Sequence, residues 1–145
     1  YRGACTGCED TALTCGRGSG IEGIGRPHCE PSFIPACIDA MVKIPDALSL
    51  AAMRHVSTVL GRRVGGSTGT NFVGVLAAAE RMRAAGRSGS IVSILCDSGE
   101  RYAHSYYNRD WYLERGIPIV ESDDAVATAV AGRGLAPLAQ ADWPL

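Results

Sequence analysis

Lysine is nearly absent from this sequence: of 14 basic residues, Lys43 is the one lysine and the others are arginine. A reaction that needs a side-chain amine as nucleophile has a single candidate within these residues. Long apolar runs are lacking as well. The longest, 72–79, contains a glycine and falls far short of the roughly 20 residues that a membrane helix needs. Nor is there an excess of charge of either sign, since 15 acidic residues bring the formal net charge to −1. That excludes the electrostatic footprint of a protein that binds nucleic acid or anionic lipid. The sequence opens on Tyr1, with no initiator methionine, charged leader or signal-like apolar stretch. The expectation is a cytoplasmic protein and a fragment or processed chain.

What is present is 145 residues with an apolar fraction of 46%, enough for one small domain with a real core. Six cysteines (Cys5, Cys8, Cys15, Cys29, Cys37 and Cys96) are even in number, but a chain this large and apolar does not depend on a disulfide framework, and they read as reduced thiols. Cys5-x-x-Cys8 with Cys15, His28 and Cys29 could supply four soft zinc ligands, yet the downstream spacing is not a paired knuckle, so no metal is expected.

Residues 1–32 hold glycines, cysteines and two prolines, Pro27 and Pro31, with little periodicity; they read as loop with one short strand around 11–14. Gly18-x-Gly20-x-x-Gly23 matches the dinucleotide fingerprint as a string, but no strand precedes it and Pro27 interrupts any following helix, so it is set aside as a nucleotide site. From residue 33 the pattern changes. Phe33, Ile34, Cys37, Ile38 and Met41 recur at helical spacing, and 42–44 before Pro45 reads as a short strand. Asp46 caps a helix with Leu48, Leu50, Ala51, Met53, Val56, Val59 and Leu60 as its apolar residues, and Gly61 stops it. Then come a short strand at 63–64, a glycine-rich loop at 65–71 and a second helix at 72–83 ended by Gly86. Residues 91–95 are almost continuously apolar, as a buried parallel strand would be, and run into a polar turn at 96–102. A helix near 107–115 and a short one near 124–131 follow. This is α/β order, and the expected fold is a mostly parallel sheet with flanking helices. The chain divides into an irregular segment 1–20, a body 21–120 and a short helix and tail 121–145.

Two places have the chemistry of a binding site. Loop 65–71 joins a strand to a helix whose first-turn N–H groups are unpaired, which suits an anion or the polar edge of a ligand. Its small residues let a flat ligand approach the backbone, and Ser67 and Thr68 offer neutral donors and acceptors. The same residues also make an ordinary glycine turn with a Ser/Thr helix cap. Asp97-Ser98-Gly99, at the carboxyl end of strand 91–95, lies where open α/β sheets bind ligands, and taken alone is equally a strand-ending turn. Glu100-Arg101 reads as an ion pair, and His55 and His104 have no evident partner.

Taken in order, Ile21-Glu22-Gly23-Ile24-Gly25, Phe33-Ile34-Pro35, Gly65-Gly66-Ser67-Thr68-Gly69-Thr70 and Asp97-Ser98-Gly99-Glu100-Arg101-Tyr102 resemble the carboxyl-terminal part of the fold-type II pyridoxal-phosphate enzymes, the cysteine synthase and cystathionine β-synthase family. The resemblance covers roughly 21–116. It implies part of the large cofactor-binding domain, with Ser67 at the pyridine nitrogen, Gly66 and Thr68 beside it, and Asp97 and Ser98 on the pyridine side. Gly23, Ile24, Gly25 and Arg26 would line the substrate cleft. A serine hydroxyl is neutral and does not hold the ring nitrogen protonated as a carboxylate would, so the ring is a weaker electron sink. That suits β-elimination or β-replacement on O-activated serine or cysteine through an aminoacrylate.

The implied activity is therefore cysteine synthase-like. An L-cysteine desulfhydrase that releases sulfide shares the same step and is the alternative, while a non-catalytic zinc-binding module or an inert gene remnant is the alternative of another class. The resemblance also implies an amino-acid substrate and a homodimeric complete enzyme. Three departures stand out: Arg26-Pro27-His28-Cys29-Glu30-Pro31-Ser32 is longer than the usual linker, Arg26 stands where a small residue is common, and Cys96 where a proline is common. The family's Ser-x-Lys motif, which carries the Schiff-base lysine, and its Gly-Thr-rich phosphate loop do not occur in these residues. Lys43 lies in a stretch that the family does not use for catalysis, so this chain is expected to contribute binding residues and no catalytic lysine.

Overall fold

The computed structural model describes residues 18–25, 31–32, 34–40 and 42–135, which fall into two units divided between Lys43 and Ile44. In the first unit, Ser19 N–H donates to Gly25 O at 2.9 Å and Ile21 N–H to Ser19 Oγ at 2.9 Å, closing 19–25 into a turn. Gly25 takes a φ of 63°, and a Cβ there would lie 2.4 Å from Ser19 Cβ, so the closure requires glycine. The helical spacing over 33–41 yields, among the described residues, one 3-10 turn, Pro35–Cys37. Spacing marks which residues would share a face but closes no hydrogen bonds by itself. Residues 42–44 belong to no strand. The expected strand around 11–14 lies outside the described residues.

The second unit contains α1 (Asp46–Leu60), α2 (Gly66–Ala84), α3 (Arg109–Glu114) and α4 (Ile119–Val130), with a 3-10 turn at Gly99–Tyr102. α1 packs along both α2 and α4. Leu50, Met53, Val64, Val73, Tyr112 and Val126 form the deepest part of its core. α1 and α2 come close at Gly69, where a Cβ would lie 1.9 Å from Ser49 O and 2.7 Å from Met53 N. Beside that crossing Thr70 Oγ1 donates to the buried Ser49 hydroxyl at 2.9 Å. On the other side, Arg54 of α1 reaches both α3 and α4: its guanidinium donates to the Tyr112 hydroxyl and to Asp123 Oδ1, each at 2.5 Å, and its centre stands 4.8 Å from the Tyr112 ring centroid. The Tyr112 hydroxyl in turn donates to Tyr106 O at 2.7 Å. Burial pushes the Tyr112 phenol up to about 12, with Arg54 opposing the rise.

All four helices close alike. Gly61, Gly86, Gly116 and Gly132 each follow a helix with φ between 59° and 71°, and the next residue's N–H bonds back to the carbonyl five positions earlier: Arg62 to Ser57, Arg87 to Met82, Ile117 to Tyr112 and Arg133 to Thr128. Only glycine takes this left-handed position without strain. The start of α1 differs from expectation by one residue: Pro45 is the cap and Asp46 the first helical residue, with Ser49 N–H donating to Pro45 O at 3.1 Å. α2 begins at Gly66 instead of residue 72 and α4 at Ile119 instead of 124. Glycine, serine and threonine are poor helix formers, so propensity alone assigns 65–71 to a loop, whereas packing on α1 holds 66–71 as helix.

The parallel sheet is not formed among the described residues. Their single β-bridge is antiparallel, between Val64 and Ser98, and 91–95 runs unpaired with Val92 93% and Ile94 72% exposed. The segment has the composition of an inner strand, but a strand gains its hydrogen bonds from a neighbour, and the described residues provide none. No helix among the described residues is long and apolar enough to cross a membrane.

Candidate functional site at the start of α2

The site is built on the turn that enters α2. Gly99 N–H donates to Arg63 O at 3.2 Å and Gly65 N–H to Asp97 O at 2.9 Å, so 63–65 runs antiparallel to 97–99 through the Val64–Ser98 bridge. Both strands must come close: a Cβ at Gly65 would fall 1.9 Å from Asp97 Oδ1, and one at Gly99 would fall 2.5 Å from Val64 O. Successive residues of an extended chain turn their N–H and C=O to opposite sides, so those of the buried Val64 face away from the bridge. Tyr107 meets them, its hydroxyl donating to Val64 O at 2.7 Å and accepting from Val64 N–H at 3.0 Å. Ser57 Oγ also accepts from that N–H, at 3.2 Å.

On the opposite strand the Tyr102 hydroxyl donates to Asp97 Oδ2 at 2.7 Å, and Tyr102 stacks on Tyr106 with ring centroids 4.7 Å apart. Ser98 Oγ accepts from Glu100 N–H at 3.4 Å and opens the 3-10 turn. The first turns of α2 grip the chain that leads into Asp97: Thr68 Oγ1 accepts from Cys96 N–H at 3.0 Å, and Asn71 Nδ2 donates to Ile94 O at 3.0 Å. Ser67, the second residue of α2, is half-buried, and its hydroxyl bonds to none of the described residues.

Gly66, Ser67, Thr68, Asp97 and Ser98 are thus brought together, by a helix start and an antiparallel bridge where a parallel strand end was expected. Gly23, Ile24 and Gly25 lie in the closed turn of the first unit, and Arg26 lies outside the described residues. So do Cys5, Cys8, Cys15, His28 and Cys29, and among the described residues no three His, Cys, Asp or Glu side chains gather as a metal site. Glu100 pairs with Arg63 at 3.0 Å across the bridge. His55 stacks on Phe72 at 5.9 Å. Sequence reasoning missed the parts played by Tyr102, Tyr107 and Asn71. For Tyr102 a signal existed, since a tight Ser98-Gly99 turn between Asp97 and Tyr102 lets the two side chains meet; for Tyr107, 43 positions from Val64, there was none.

Comparison with curated proteins fits this arrangement to a class: over its matched residues the chain belongs to the fold-type II pyridoxal-phosphate enzymes, and it corresponds to their carboxyl-terminal part. It is 57% identical over 99 residues to the L-cysteine desulfhydrase Cds1 of Mycobacterium tuberculosis, covering 68% of this chain and 27% of that protein. It is 31% identical over 97 residues to a cystathionine beta-synthase of Dictyostelium discoideum (67% of this chain, 19% of that protein). To a putative cysteine synthase of Sinorhizobium fredii it is 29% identical over 96 residues (66% of this chain, 26% of that protein). The chain therefore spans about a quarter or less of the length of these relatives. No protein-family model matches it. That family is of the α/β class, and its cofactor is pyridoxal phosphate.

The residues at the start of α2 suit the pyridine end of that cofactor. A ring nitrogen asks for one hydrogen-bonding partner, and Ser67 offers a neutral hydroxyl, half-buried and not engaged by any described residue, next to a turn in which Gly65 admits no side chain. Lys43, the one lysine, is exposed and belongs to the other unit.

Proposed function

We propose that this chain supplies the pyridine side of the cofactor pocket, and part of the substrate cleft, in an enzyme that removes or replaces the β-substituent of cysteine or an O-activated serine. The observation that carries the reading is the 57% identity to an L-cysteine desulfhydrase, against 28–31% to the cysteine synthases and cystathionine beta-synthase, and it favours the direction that releases sulfide from cysteine. Pyridoxal phosphate, when bound, supplies an electron-withdrawing ring that stabilises negative charge on the substrate Cα. The Ser67 hydroxyl bonds the ring nitrogen, with Gly66 and Thr68 beside it. Being neutral, it would not hold that nitrogen protonated as a carboxylate would, and so would moderate the electron withdrawal available for loss of the β-substituent. Asp97 and Ser98 would close the pyridine end, and the family resemblance assigns Gly23, Ile24, Gly25 and Arg26 to the substrate cleft of the complete enzyme. The lysine that carries the cofactor and the loop that holds its phosphate come from elsewhere in the complete protein. There 21–120 is part of the cofactor domain, 91–95 is an inner strand of a mostly parallel sheet, and the enzyme is a cytoplasmic homodimer.

The test is the full-length protein purified with pyridoxal phosphate, assayed for sulfide release from cysteine and for cysteine formation from O-activated serine and sulfide. Sulfide release, slowed about tenfold in Ser67→Ala, is expected. A protein without the absorbance of bound cofactor, or one with stoichiometric zinc and no turnover, would overturn the proposal.

A further inference from the structure

We infer that Tyr107 is a positioning residue for the cofactor-facing turn, acting through the backbone of Val64; the inference rests on the reading of Ser67 given under Proposed function. The turn from Arg63 to Gly66 is fixed on its bridge side by single bonds at Arg63 O and Gly65 N–H. On its other side the two polar groups of Val64 are buried with that residue, and the Tyr107 hydroxyl engages both, the N–H at 3.0 Å and the carbonyl at 2.7 Å. Without that hydroxyl the carbonyl has no partner among the described residues, and the N–H keeps Ser57 Oγ alone. A buried carbonyl without a partner is costly, so the turn must shift toward another donor or toward water. Gly66 and Ser67 follow Val64 by two and three residues, so a shift at Val64 is passed to the Ser67 hydroxyl through only Gly65 and Gly66.

Tyr107 is itself held. Its N–H donates to Tyr102 O at 3.3 Å, and the Arg63 guanidinium lies 5.2 Å from its ring centroid. One self-bonded turn, 102–107, thus carries two hydroxyls that fix the two strands of the bridge. Tyr102 secures Asp97, and Tyr107 secures Val64.

The test is Tyr107→Phe, which keeps the ring and removes the hydroxyl. In the full-length protein, its affinity for pyridoxal phosphate is expected to fall about tenfold, and the absorption and emission maxima of the bound cofactor to move. A general loss of stability would not move those maxima in the folded fraction, so wild-type affinity with wild-type maxima would overturn the inference. In the same full-length protein, amide exchange at 64–68 is expected to quicken about tenfold while α4 keeps its protection; equal acceleration in both would also overturn it. Should Tyr107→Phe not fold, the wild-type chain decides. A slowly exchanging Tyr107 hydroxyl proton with a cross-peak to the Val64 amide is expected, and its absence counts against the inference. If the wild-type full-length protein binds no pyridoxal phosphate, the proposed function fails by itself, and the exchange data still decide whether Tyr107 holds the turn.

Discussion

Gly69 and Gly74 lie five residues apart on α2, and replacing either with alanine should raise helix propensity by about 0.5–1 kcal/mol. At Gly74 the new methyl would meet only Ile44 Cδ1, at 3.9 Å, an ordinary contact. Gly74→Ala should therefore stabilise the protein by that amount. At Gly69 the same methyl would lie 1.9 Å from Ser49 O, 2.7 Å from Met53 N and 2.9 Å from Met53 Cβ. Carbon and oxygen make contact at about 3.3 Å, so α1 and α2 must part by roughly 1.4 Å. The first two obstructions are backbone atoms of a helix and cannot rotate away. Parting also stretches the 2.9 Å bond between Thr70 and the buried Ser49 hydroxyl. Overpacking costs about 1–3 kcal/mol and the weakened bond about 1 kcal/mol more. After the propensity gain, Gly69→Ala should be destabilised by about 2–3 kcal/mol, leaving the two variants roughly 3 kcal/mol apart. Urea titrations of wild type and both variants, with unchanged m, would measure this. Equal stability of Gly69→Ala and Gly74→Ala would refute the close crossing of α1 and α2.

Other expectations follow from the same geometry. The Tyr112 phenol keeps its proton to about 12 in the folded chain against 10.0 for the ordinary group, so its contribution to stability is full below pH 10 and is lost as pH rises through 12. The slope approaches about 1.4 kcal/mol per pH unit in that window, and urea midpoints of Tyr112→Phe should lack it. Ser67→Ala should change stability by less than about 0.5 kcal/mol, by thermal unfolding of the chain, because its hydroxyl bonds to no described residue. Val92→Lys, at a position 93% exposed on an unpaired apolar segment, should lower light scattering in concentrated solutions of the chain without shifting its unfolding midpoint. Gly99→Ala, whose Cβ would lie 2.5 Å from Val64 O, should cost about 1–3 kcal/mol by urea titration.

The parts of the fold that were legible are those encoded by neighbours in sequence. α1 was readable almost to the residue because its signals are local, Pro45-Asp46 at one end and Gly61 at the other. The start of α2 was not, since Gly66, Ser67, Thr68 and Gly69 argue for a loop when weighed by propensity, and only the crossing with α1 explains their helical state. Likewise the apolar character of 91–95 says that something should cover it, and says nothing of what, because a strand's partner is set by distant residues. Within the candidate site, family resemblance named Gly66, Ser67, Thr68, Asp97 and Ser98 as a set, and the fold brings them near one another. The way they are joined was not: the bonds from Tyr107 to Val64 and from Cys96 to Thr68 span 43 and 28 positions and follow no motif. Arg54 was missed for the same reason, its partners Tyr112 and Asp123 being 58 and 69 positions away.

The glycine closures at residues 61, 86, 116 and 132 bear on how the chain finds its structure. Because each described helix of the second unit is ended within its own next three residues, helix length is written locally, and a nascent helix stops at the right place before any tertiary contact exists. The conformational search is then confined to how finished rods of known length pack and pair, with register errors caused by overlong helices removed beforehand. Replacing one of these glycines would therefore blur a boundary during folding as well as strain the folded state, and the variants should refold more slowly than their loss of stability accounts for.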